Sequence, residues 1–408
     1  MKWTKNDETM RIPIKSWCAD IESGAMDQAV NLARHPKTVG HVALMPDCHV
    51  GYGMPIGGVI ACDGAVIPNA VGVDIGCGMV AVETDVPATR LPGRSGIRNM
   101  LGAVKERVPV GEGHAHRKPQ GWSGFDSYLD SVSGKRPAWC NDRGWDLDTR
   151  NIGTLGGGNH FIELQRSDDG MVWLMIHSGS RNLGYRVAAH YHKLAQDVNA
   201  QEGTSLPSRD LAFLATDSEA GRDYIRDMGF ALTYALENRR RMMACFKEAI
   251  SDAVHGVSFL REVNIHHNFA ACEEVDGRQL WVHRKGATSA KAGEPGIIPG
   301  SMGTASYIVE GLGNSESFNS CSHGAGRVMG RKEACRRLSV AECDKAMGDV
   351  VFDRWGQVRA RRGKRQGEKL WDLAEAPLAY KDIEMVIDAE RDLVTPTVRL
   401  TPIGVVKG

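Results

Sequence analysis

Short apolar runs, each bounded by glycine or proline, recur along most of the chain and predict β-strands. They lie at His41–Met45, Val80–Glu83, Val172–His177, Leu280–His283 and Ser306–Val309. These runs do not alternate regularly with helical segments, which argues against a doubly wound parallel sheet. The pattern therefore predicts a core that is rich in packed strands.

The middle of the chain has a different pattern, because apolar residues recur there at helical spacing. The spacing holds from Val187 to Val198 and again from Ile225 to Ile250. It predicts a pair of helices over residues 186–255, inserted into the strand-rich core and joined at Leu206-Pro207-Ser208. The methionines and aromatic residues of these helices are far more typical of packing against a core than of a cofactor-binding face.

The composition is that of an ordinary globular protein. The chain has 408 residues, 50 Lys+Arg, 50 Asp+Glu, 42% hydrophobic residues and 25% charged residues. Length alone favours roughly two to four domains, although one large fold fits as well. Zero net charge argues against binding of nucleic acid or membranes through diffuse charge, and leaves room for a local basic groove. Disorder, collagen and coiled coil are excluded as descriptions of the whole chain.

Cysteine usage and the N-terminal sequence bear on the compartment. No apolar run approaches the length of a membrane span, and no hydrophobic stretch follows the N-terminal lysines. The ten cysteines form no Cys-x-x-Cys pair, which in a long chain favours reduced thiols and a cytoplasmic location. Glycine is frequent, at 47 residues, and clusters with Asp, His, Asn and Ser. That clustering indicates backbone shaped around ligands.

Two glycine-rich segments contain residue types that bind metals. Gly72–Gly78 holds Asp74 and Cys77, and carboxylates and thiolates both bind divalent ions. Gly153–Glu163 holds His160 and lacks the Gly-Lys-Ser/Thr of a P-loop. Taken alone, each segment is better explained as a turn, with an inert buried cysteine in the first and a hydrogen-bonded histidine in the second.

Three further segments place histidine beside small residues. His177 ends a predicted strand and precedes Ser-Gly-Ser-Arg, whose arginine can clamp a phosphate. His266 and His267 are adjacent, so on a strand they point to opposite faces and at most one enters a given site. His323 lies four residues before Arg327; a neutral imidazole can attack phosphorus while arginine stabilises the developing charge. All five segments together predict a transition-metal site that acts on phosphates.

A basic, glycine-containing stretch follows near the end of the chain. It could contact RNA phosphates, but a solvated loop is at least as compatible, because a charge run alone is weak evidence. Its basic residues are Arg354, Arg359, Arg361, Arg362, Lys364, Arg365 and Lys369.

The motifs, in their order along the chain, resemble those of the RtcB family of RNA ligases. The resemblance runs from about residue 12 to Lys407-Gly408. It is carried by Met-Pro-Asp-Cys-His-Val-Gly at 45–51, Gly-Val-Asp-Ile-Gly-Cys-Gly at 72–78, Gly-Gly-Asn-His-Phe-Ile-Glu at 157–163, His-Ser-Gly-Ser-Arg at 177–181, His-His-Asn at 266–268, Pro-Gly-Ser-Met-Gly at 299–303, Ser-His-Gly-Ala-Gly-Arg at 322–327 and Ala-Tyr-Lys-Asp-Ile at 379–383.

The resemblance implies an α+β fold, in which packed mixed β-sheets form a metal cleft surrounded by helices. Because motifs from residue 45 to residue 407 must converge on one site, we expect residues 1–408 to form a single large domain. The helical pair at 186–255 is expected to be an insertion within it.

The resemblance also implies an activity and its site. The family joins an RNA 3′-phosphate or 2′,3′-cyclic phosphate to a 5′-hydroxyl, using GTP and two Mn²⁺ ions, in tRNA splicing or RNA repair. His323 is the implied nucleophile that takes GMP. The implied metal ligands are Asp74, Cys77, His160, His177 and His267, with Cys77 bridging. The implied guanylate contacts are Asn159, Asn268, Ser301, Ser306, Arg327, Tyr380 and Lys407. Further implied polar positions of the site are Asp47, His49, Glu163, Arg181 and Lys285.

Some alternatives stay open at the level of sequence. Lysine-based nucleotidyl transferases need Lys-x-Asp-Gly, and the nearest sequences, Ala61–Gly64 and Glu274–Gly277, lack the lysine. A Mn²⁺-dependent phosphoesterase that opens cyclic phosphates without ligation would share the metal ligands. A non-catalytic RNA-binding or metal-sensing protein is a third class.

Asn182 stands where many family members carry glycine. The sequence leaves open the natural RNA substrate, any activating partner and the oligomeric state, which could be a monomer.

Overall fold

The structure is a computed structural model that describes residues 1–134, 136–359 and 369–408. Most of the basic stretch singled out above, including Arg361, Arg362, Lys364 and Arg365, lies outside the described residues. In the described ranges, no helix combines the length and the apolar character needed to cross a bilayer.

The described residues form twenty strands and ten α-helices. The strands are β1 Trp3–Lys5, β2 Ile14–Ser16, β3 Thr38–His49, β4 Ile56–Cys62, β5 Ala65–Val66, β6 Gly78–Pro87, β7 Phe161–Ser167, β8 Met171–Ser178, β9 Leu214–Ala215, β10 Phe259–His266, β11 Asn268–Val275, β12 Arg278–Lys285, β13 Ala287–Ser289, β14 Pro295–Ile298, β15 Ser306–Gly311, β16 Ser320–Ser322, β17 Val351–Phe352, β18 Gln357–Arg359, β19 Lys369–Trp371 and β20 Val394–Lys407. The helices are α1 Ser23–Arg34, α2 Pro68–Val71, α3 Arg94–Arg107, α4 Ser123–Ser131, α5 Asp142–Asn151, α6 Leu183–Gln201, α7 Glu219–Ala253, α8 Arg331–Arg337, α9 Val340–Met347 and α10 Ile383–Ala389.

Two large sheets organise these elements. One sheet has the strand order β1-β2-β3-β4-β12-β11 and is antiparallel except where β2 runs parallel to β3. The other has the order β10-β6-β8-β7-β20-β15-β14, with β17 parallel beside β20. Its edge strands β10 and β14 approach each other, so this sheet is nearly closed. The predicted α+β class and all five predicted strands are confirmed.

Alternation along the strands of the second sheet buries both of its faces. In β6, Val80 and Val82 pack against apolar side chains of α3 and α7. Met79 and Ala81, which point the other way, pack inside the curved sheet. Each fully buried side chain of this size contributes about 1.5–3 kcal/mol through removal from water. The helices therefore cover the outer face of the sheet, while its ends stay open for chemistry.

The helical periodicity of the middle segment corresponds to α6 and α7. Phe246 and Ile250 of α7 are fully buried against the second sheet, as expected for a face that packs on a core. The connection is longer than the three-residue joint of the prediction. It contains a 3₁₀ turn at Arg209–Leu211 and strand β9, which pairs with β5. That the whole chain forms one domain stays a prediction.

Candidate active site

The register of the second sheet brings distant metal-binding residue types to one end of it. His177 of β8 lies opposite Met79 of β6 and Phe161 of β7, and His266 of β10 lies opposite Gly78. Cys77, His160 and His267 are the residues next to these paired positions in sequence. Four separate segments therefore converge because their strands are neighbours in a single sheet.

A buried thiol lies at the centre of this convergence. The Sγ of Cys77 is 3.2 Å from Nε2 of His177 and 3.5 Å from Nε2 of His160. The Nε2 of His160 is 3.7 Å from an Oδ of Asp74, whose side chain is 43% exposed. The Cys77, His160 and His177 ligand atoms are close enough together to bind one metal ion.

The two histidines are oriented by backbone carbonyls. Nδ1 of His160 lies 2.8 Å from the Leu155 carbonyl oxygen, and Nδ1 of His177 lies 3.1 Å from that of Asn159. Because a carbonyl only accepts, Nδ1 carries the proton in each ring and Nε2 presents its lone pair toward Cys77. Burial holds the pKa of His177 well below its usual value, which keeps this ring in the neutral, metal-binding form.

His267 joins this cluster to His323. Its ring centroid is 5.1 Å from that of His177 and 4.8 Å from that of His323. Its Nδ1 is buried and has no hydrogen-bond partner within the described part of the chain. The adjacent His266 turns the other way, toward Arg239 and the Gly76 carbonyl. Only one histidine of the pair therefore enters the cluster, as the strand geometry predicts.

These donors fit a divalent transition-metal ion. Burial and the charge of Asp74 raise the pKa of the Cys77 thiol, so the thiol is protonated without a cation beside it. A bound cation reverses this balance and stabilises the thiolate. The unpartnered Nδ1 of His267 is a further donor that a buried site would otherwise leave unsatisfied. Sulfur, imidazole and carboxylate together suit a borderline metal.

A cleft opens beside this metal-binding cluster. Together with the solvent at its mouth it encloses about 850 Å³. It is lined by the predicted nucleophile His323, the predicted metal ligand His177, the polar positions His49 and Glu163, and every predicted guanylate contact except Asn268, namely Asn159, Ser301, Ser306, Arg327, Tyr380 and Lys407.

His323 is held in the cleft by Asp47. Its Nδ1 lies 2.6 Å from Oδ2 of Asp47, and its backbone N–H donates to the same oxygen at 3.2 Å. Asp47 is fully buried, and Gly326, at a φ of +72°, passes so close that a Cβ there would lie 2.5 Å from the Asp47 carbonyl oxygen. The carboxylate accepts a hydrogen bond from Nδ1–H. In this tautomer Nε2 is the unprotonated nitrogen of a ring that lines the cleft.

A charged network forms one wall of the cleft, and two of its members, Arg331 and Glu375, were missed by the sequence prediction. Glu375 accepts from Arg327 at 3.2 Å, from Arg331 at 2.7 Å and from the Tyr380 hydroxyl. The ammonium of Lys407 is 4.0 Å from the same carboxylate. Arg331 repeats the four-residue spacing from His323 to Arg327, a signal that could have identified it. Glu375 has no such signal, since a lone acid between apolar residues is unremarkable in sequence.

Three other predicted site residues do not line the cleft. Asn268 donates to the Asp74 carbonyl at 3.1 Å and accepts from Gly286 at 2.8 Å, so it braces the metal-binding turn. Arg181 donates to Thr154 at 3.2 Å beside His160. Lys285 donates to the backbone carbonyls of Tyr52 and Asn69. None of the three lines the cleft as described.

Known proteins match this chain over nearly its full length. The family model described as tRNA-splicing ligase RtcB matches residues 28–408. The RNA-splicing ligase RtcB of Escherichia coli strain K12 is 38% identical, covering 98% of this chain and 98% of that protein. The tRNA-splicing ligase RtcB of Thermococcus kodakarensis is 32% identical, covering 99% and 96%. The chain belongs to the RtcB family.

The turn that connects His177 to α6 has a left-handed residue. Asn182 has a φ of +63° as the N-terminal cap of α6. Asparagine tolerates this region better than most residues with a side chain, so it is compatible with the turn.

A second buried carboxyl lies behind the cleft of this RtcB chain. Glu390 is fully buried and accepts a hydrogen bond from the N–H of Ser322 at 2.9 Å. Its other oxygen, the Ser322 hydroxyl and Oδ1 of Asp47 have no partner in the described ranges. Burial raises the pKa of Glu390 from 4.5 to about 8, so the carboxyl is mostly protonated at neutral pH.

The variant Glu390→Gln is therefore expected to be more stable than the wild type at pH 7, by about 3 kcal/mol. The unfolded chain loses the Glu390 proton near pH 4.5 and the folded chain near pH 8, so wild-type stability falls as pH rises between these values. Glutamine mimics the protonated form and removes this loss. Urea unfolding at pH 5 and pH 7 measures the difference, which should fall to about 1 kcal/mol at pH 5. A less stable variant at pH 7 would contradict the assignment.

Proposed function

We propose that this chain is a GTP- and Mn²⁺-dependent RNA ligase that joins an RNA 3′-phosphate or 2′,3′-cyclic phosphate to a 5′-hydroxyl through guanylylated His323. The observation that carries the proposal is the position of His323: its Nδ1 is engaged by Asp47, and its ring lies between the polar cleft and His267. Membership of the RtcB family, whose relatives are named RNA-splicing and tRNA-splicing ligases, agrees with this chemistry.

The metal-binding residues of the proposal are those gathered around Cys77. Asp74, Cys77, His160, His177 and His267 would hold two Mn²⁺ ions, with the thiolate able to bridge them. When bound, the ions would neutralise phosphate charge and lower the pKa of water. A mixed S/N/O set and the open side toward the cleft suit Mn²⁺ better than the closed tetrahedral site that structural zinc prefers.

The cleft offers complementary groups for a guanine nucleotide. The Glu163 carboxyl lies on the cleft wall, and burial raises its pKa to about 8. The N1–H and N2 amino group of guanine, which adenine lacks, would donate to the two oxygens of the ionised carboxylate and so lower this pKa. Asn159, Ser301 and Ser306 add polar contacts, while Arg327, Tyr380 and Lys407 supply donors for the ribose and phosphates.

The proposed reaction follows from the free nitrogen of His323. Its Nε2 attacks the α-phosphorus of GTP, a P–N bond forms and pyrophosphate leaves. The Asp47 carboxylate stabilises the positive charge that the ring acquires, and arginines stabilise the charge on phosphate oxygens. An oxygen of the RNA 3′-phosphate then attacks this phosphorus, breaking the P–N bond and moving GMP to the RNA end. Finally the 5′-hydroxyl attacks the activated RNA phosphate and GMP leaves. A cyclic end is first opened by water.

End joining of two short RNAs tests the proposal directly. One RNA carries a 2′,3′-cyclic phosphate and the other a 5′-hydroxyl, and GTP and Mn²⁺ are each omitted in turn. Joined product is expected only when both are present, and an acceptor with a 5′-phosphate should not react. Opening of the cyclic phosphate without any joined product would favour the phosphoesterase alternative. The same assay with tRNA halves and with ribonuclease-cleaved RNA compares splicing and repair as tasks.

A further inference from the structure

A second pocket adjoins the nucleotide cleft and is not used by the chemistry above. The two share a wall formed by Met302, Arg331, Glu375, Val405 and Lys407. With the solvent at its mouth the second pocket encloses about 920 Å³. We call it the side pocket. A ligand that extends out of the cleft across this wall enters the side pocket.

The far wall of the side pocket is aromatic. The rings of Phe352 and Trp355 lie with centroids 5.1 Å apart and an interplanar angle of 56°. The indole N–H of Trp355 donates to Asp344 at 2.7 Å, which fixes the orientation of the ring. Both rings are half-buried, and their inner sides pack on the apolar cluster that contains Met302 and Val405. The wall is a rigid platform with one side toward the pocket.

Three acids and three cations line the side pocket. Glu375 is bonded to Arg327 and Arg331, and Asp353 to Lys105 at 3.0 Å, so these two acids are already paired with cations. The third acid, Asp372, is exposed and accepts from the Cys335 thiol at 3.8 Å. Arg354 is exposed at the rim, beside the aromatic platform. Arginine next to an aromatic ring is the combination that holds unpaired nucleotides, because the ring stacks on a base and the guanidinium meets the backbone.

We infer that the side pocket binds one unpaired nucleotide of the RNA substrate next to the reacting end, with its base stacked on Trp355 and its phosphate beside Arg354 and Arg331. This inference rests on the proposed function for the identity of the substrate. The occupant is RNA rather than a second GTP, because an aromatic face stacks on any base and the polar residues beside it, Asp353, Arg354 and Asp372, are exposed rather than buried around one base. A sequence-tolerant contact is the result.

RNA affinity tests the inference without requiring catalysis. A fluorescently labelled single-stranded 8-mer is titrated with the full chain, without GTP, and its anisotropy is followed. Trp355→Ala is expected to weaken binding about tenfold, the effect of losing one stacked base. Trp355→Phe should stay within about threefold of the wild type, since a stacking face remains. Arg354→Ala should reduce the slope of affinity against salt by about 0.7, and Arg240→Ala, an exposed arginine on α7, should not.

Two arms identify the strand that occupies the pocket. The 8-mer carries either a 3′-phosphate or a 5′-hydroxyl at the reacting end, and each series is shortened one nucleotide at a time. The defect of Trp355→Ala should vanish at one length in one series, which identifies the bound nucleotide. The thermal melting temperature of each variant separates lost binding from lost folding. If Trp355→Ala lowers the melting temperature, Trp355→Phe and Arg354→Ala are used to test the contact instead.

Several results would overturn the inference. If Trp355→Ala and the wild type bind RNA with equal affinity, no base stacks on Trp355. A fall in GTP affinity as large as the fall in RNA affinity assigns the pocket to the nucleotide cleft instead. If the wild type binds RNA through Trp355 but joins no ends, the proposed function fails while the side pocket stands.

Discussion

His323→Ala is expected to abolish covalent labelling of the protein by α-labelled GTP in the presence of Mn²⁺, a loss of at least about 10³-fold. The ring lines the cleft, and its Nδ1 is engaged by the carboxylate of Asp47. The other two histidines of the cleft lining, His49 and His177, have their Nδ1 atoms on backbone carbonyls instead. Alanine leaves the cleft and the metal-binding cluster in place while removing the attacking atom. Gel autoradiography of the protein band measures the label, and end joining should be lost in parallel.

The control for this variant is His190→Ala, a histidine of α6 outside the cleft lining, which should label normally. The result also separates two enzyme classes. A phosphoesterase has no need of a guanylylated histidine, so it would keep its full activity on cyclic phosphates after the substitution. Persistent labelling of His323→Ala would remove His323 from the proposed role and require another nucleophile.

Cys77→Ala is expected to lower Mn²⁺ affinity and end joining by about 100-fold or more. Its sulfur lies 3.2 Å and 3.5 Å from two imidazole nitrogens, so it is the atom that the other donors surround. Loss of a ligand from a buried site weakens metal binding far more than loss of an orienting partner, which itself costs 10–100-fold. Metal content after dialysis against Mn²⁺, with elemental analysis, gives a measurement that is independent of activity.

Cys62→Ala is the matched control, because Cys62 is also fully buried but lies in β4 within an apolar cluster. Both variants lose the same atom, so any shared loss of folding stability cancels in the comparison. Unchanged Mn²⁺ content in Cys77→Ala would exclude the thiolate as a ligand. In that case the close approach of sulfur to the two histidines would be a packing contact only.

Much of the chemistry was predictable because it is local. Gly-Val-Asp-Ile-Gly-Cys-Gly and Ser-His-Gly-Ala-Gly-Arg each bring their reactive side chains together with the glycines that shape the turn. Short apolar runs bounded by glycine or proline likewise predicted β3, β6, β8, β12 and β15, since such a run and its boundaries are local in sequence. The adjacent pair His266 and His267 could be separated in sequence for the same reason.

The remaining features depend on contacts that no local pattern encodes. Glu375 accepts from Arg327 and Arg331, which lie 48 and 44 residues before it, and Glu390 accepts from Ser322, 68 residues away. Likewise, the aromatic platform of the side pocket becomes part of a site only because β17 lies beside β20, the strand that ends at Lys407.

The sequence by itself determined which residue types were available for metal, phosphate and nucleophile, and the family to which their order belongs. Only the tertiary structure decided that Asp47 engages His323, that Asn268 and Lys285 turn away from the cleft, and that a second pocket continues it. The physical reason is that strand register and side-chain burial are set by the whole core at once. Distances between segments hundreds of residues apart are therefore a property of packing, while the chemistry of each segment is a property of its own residues.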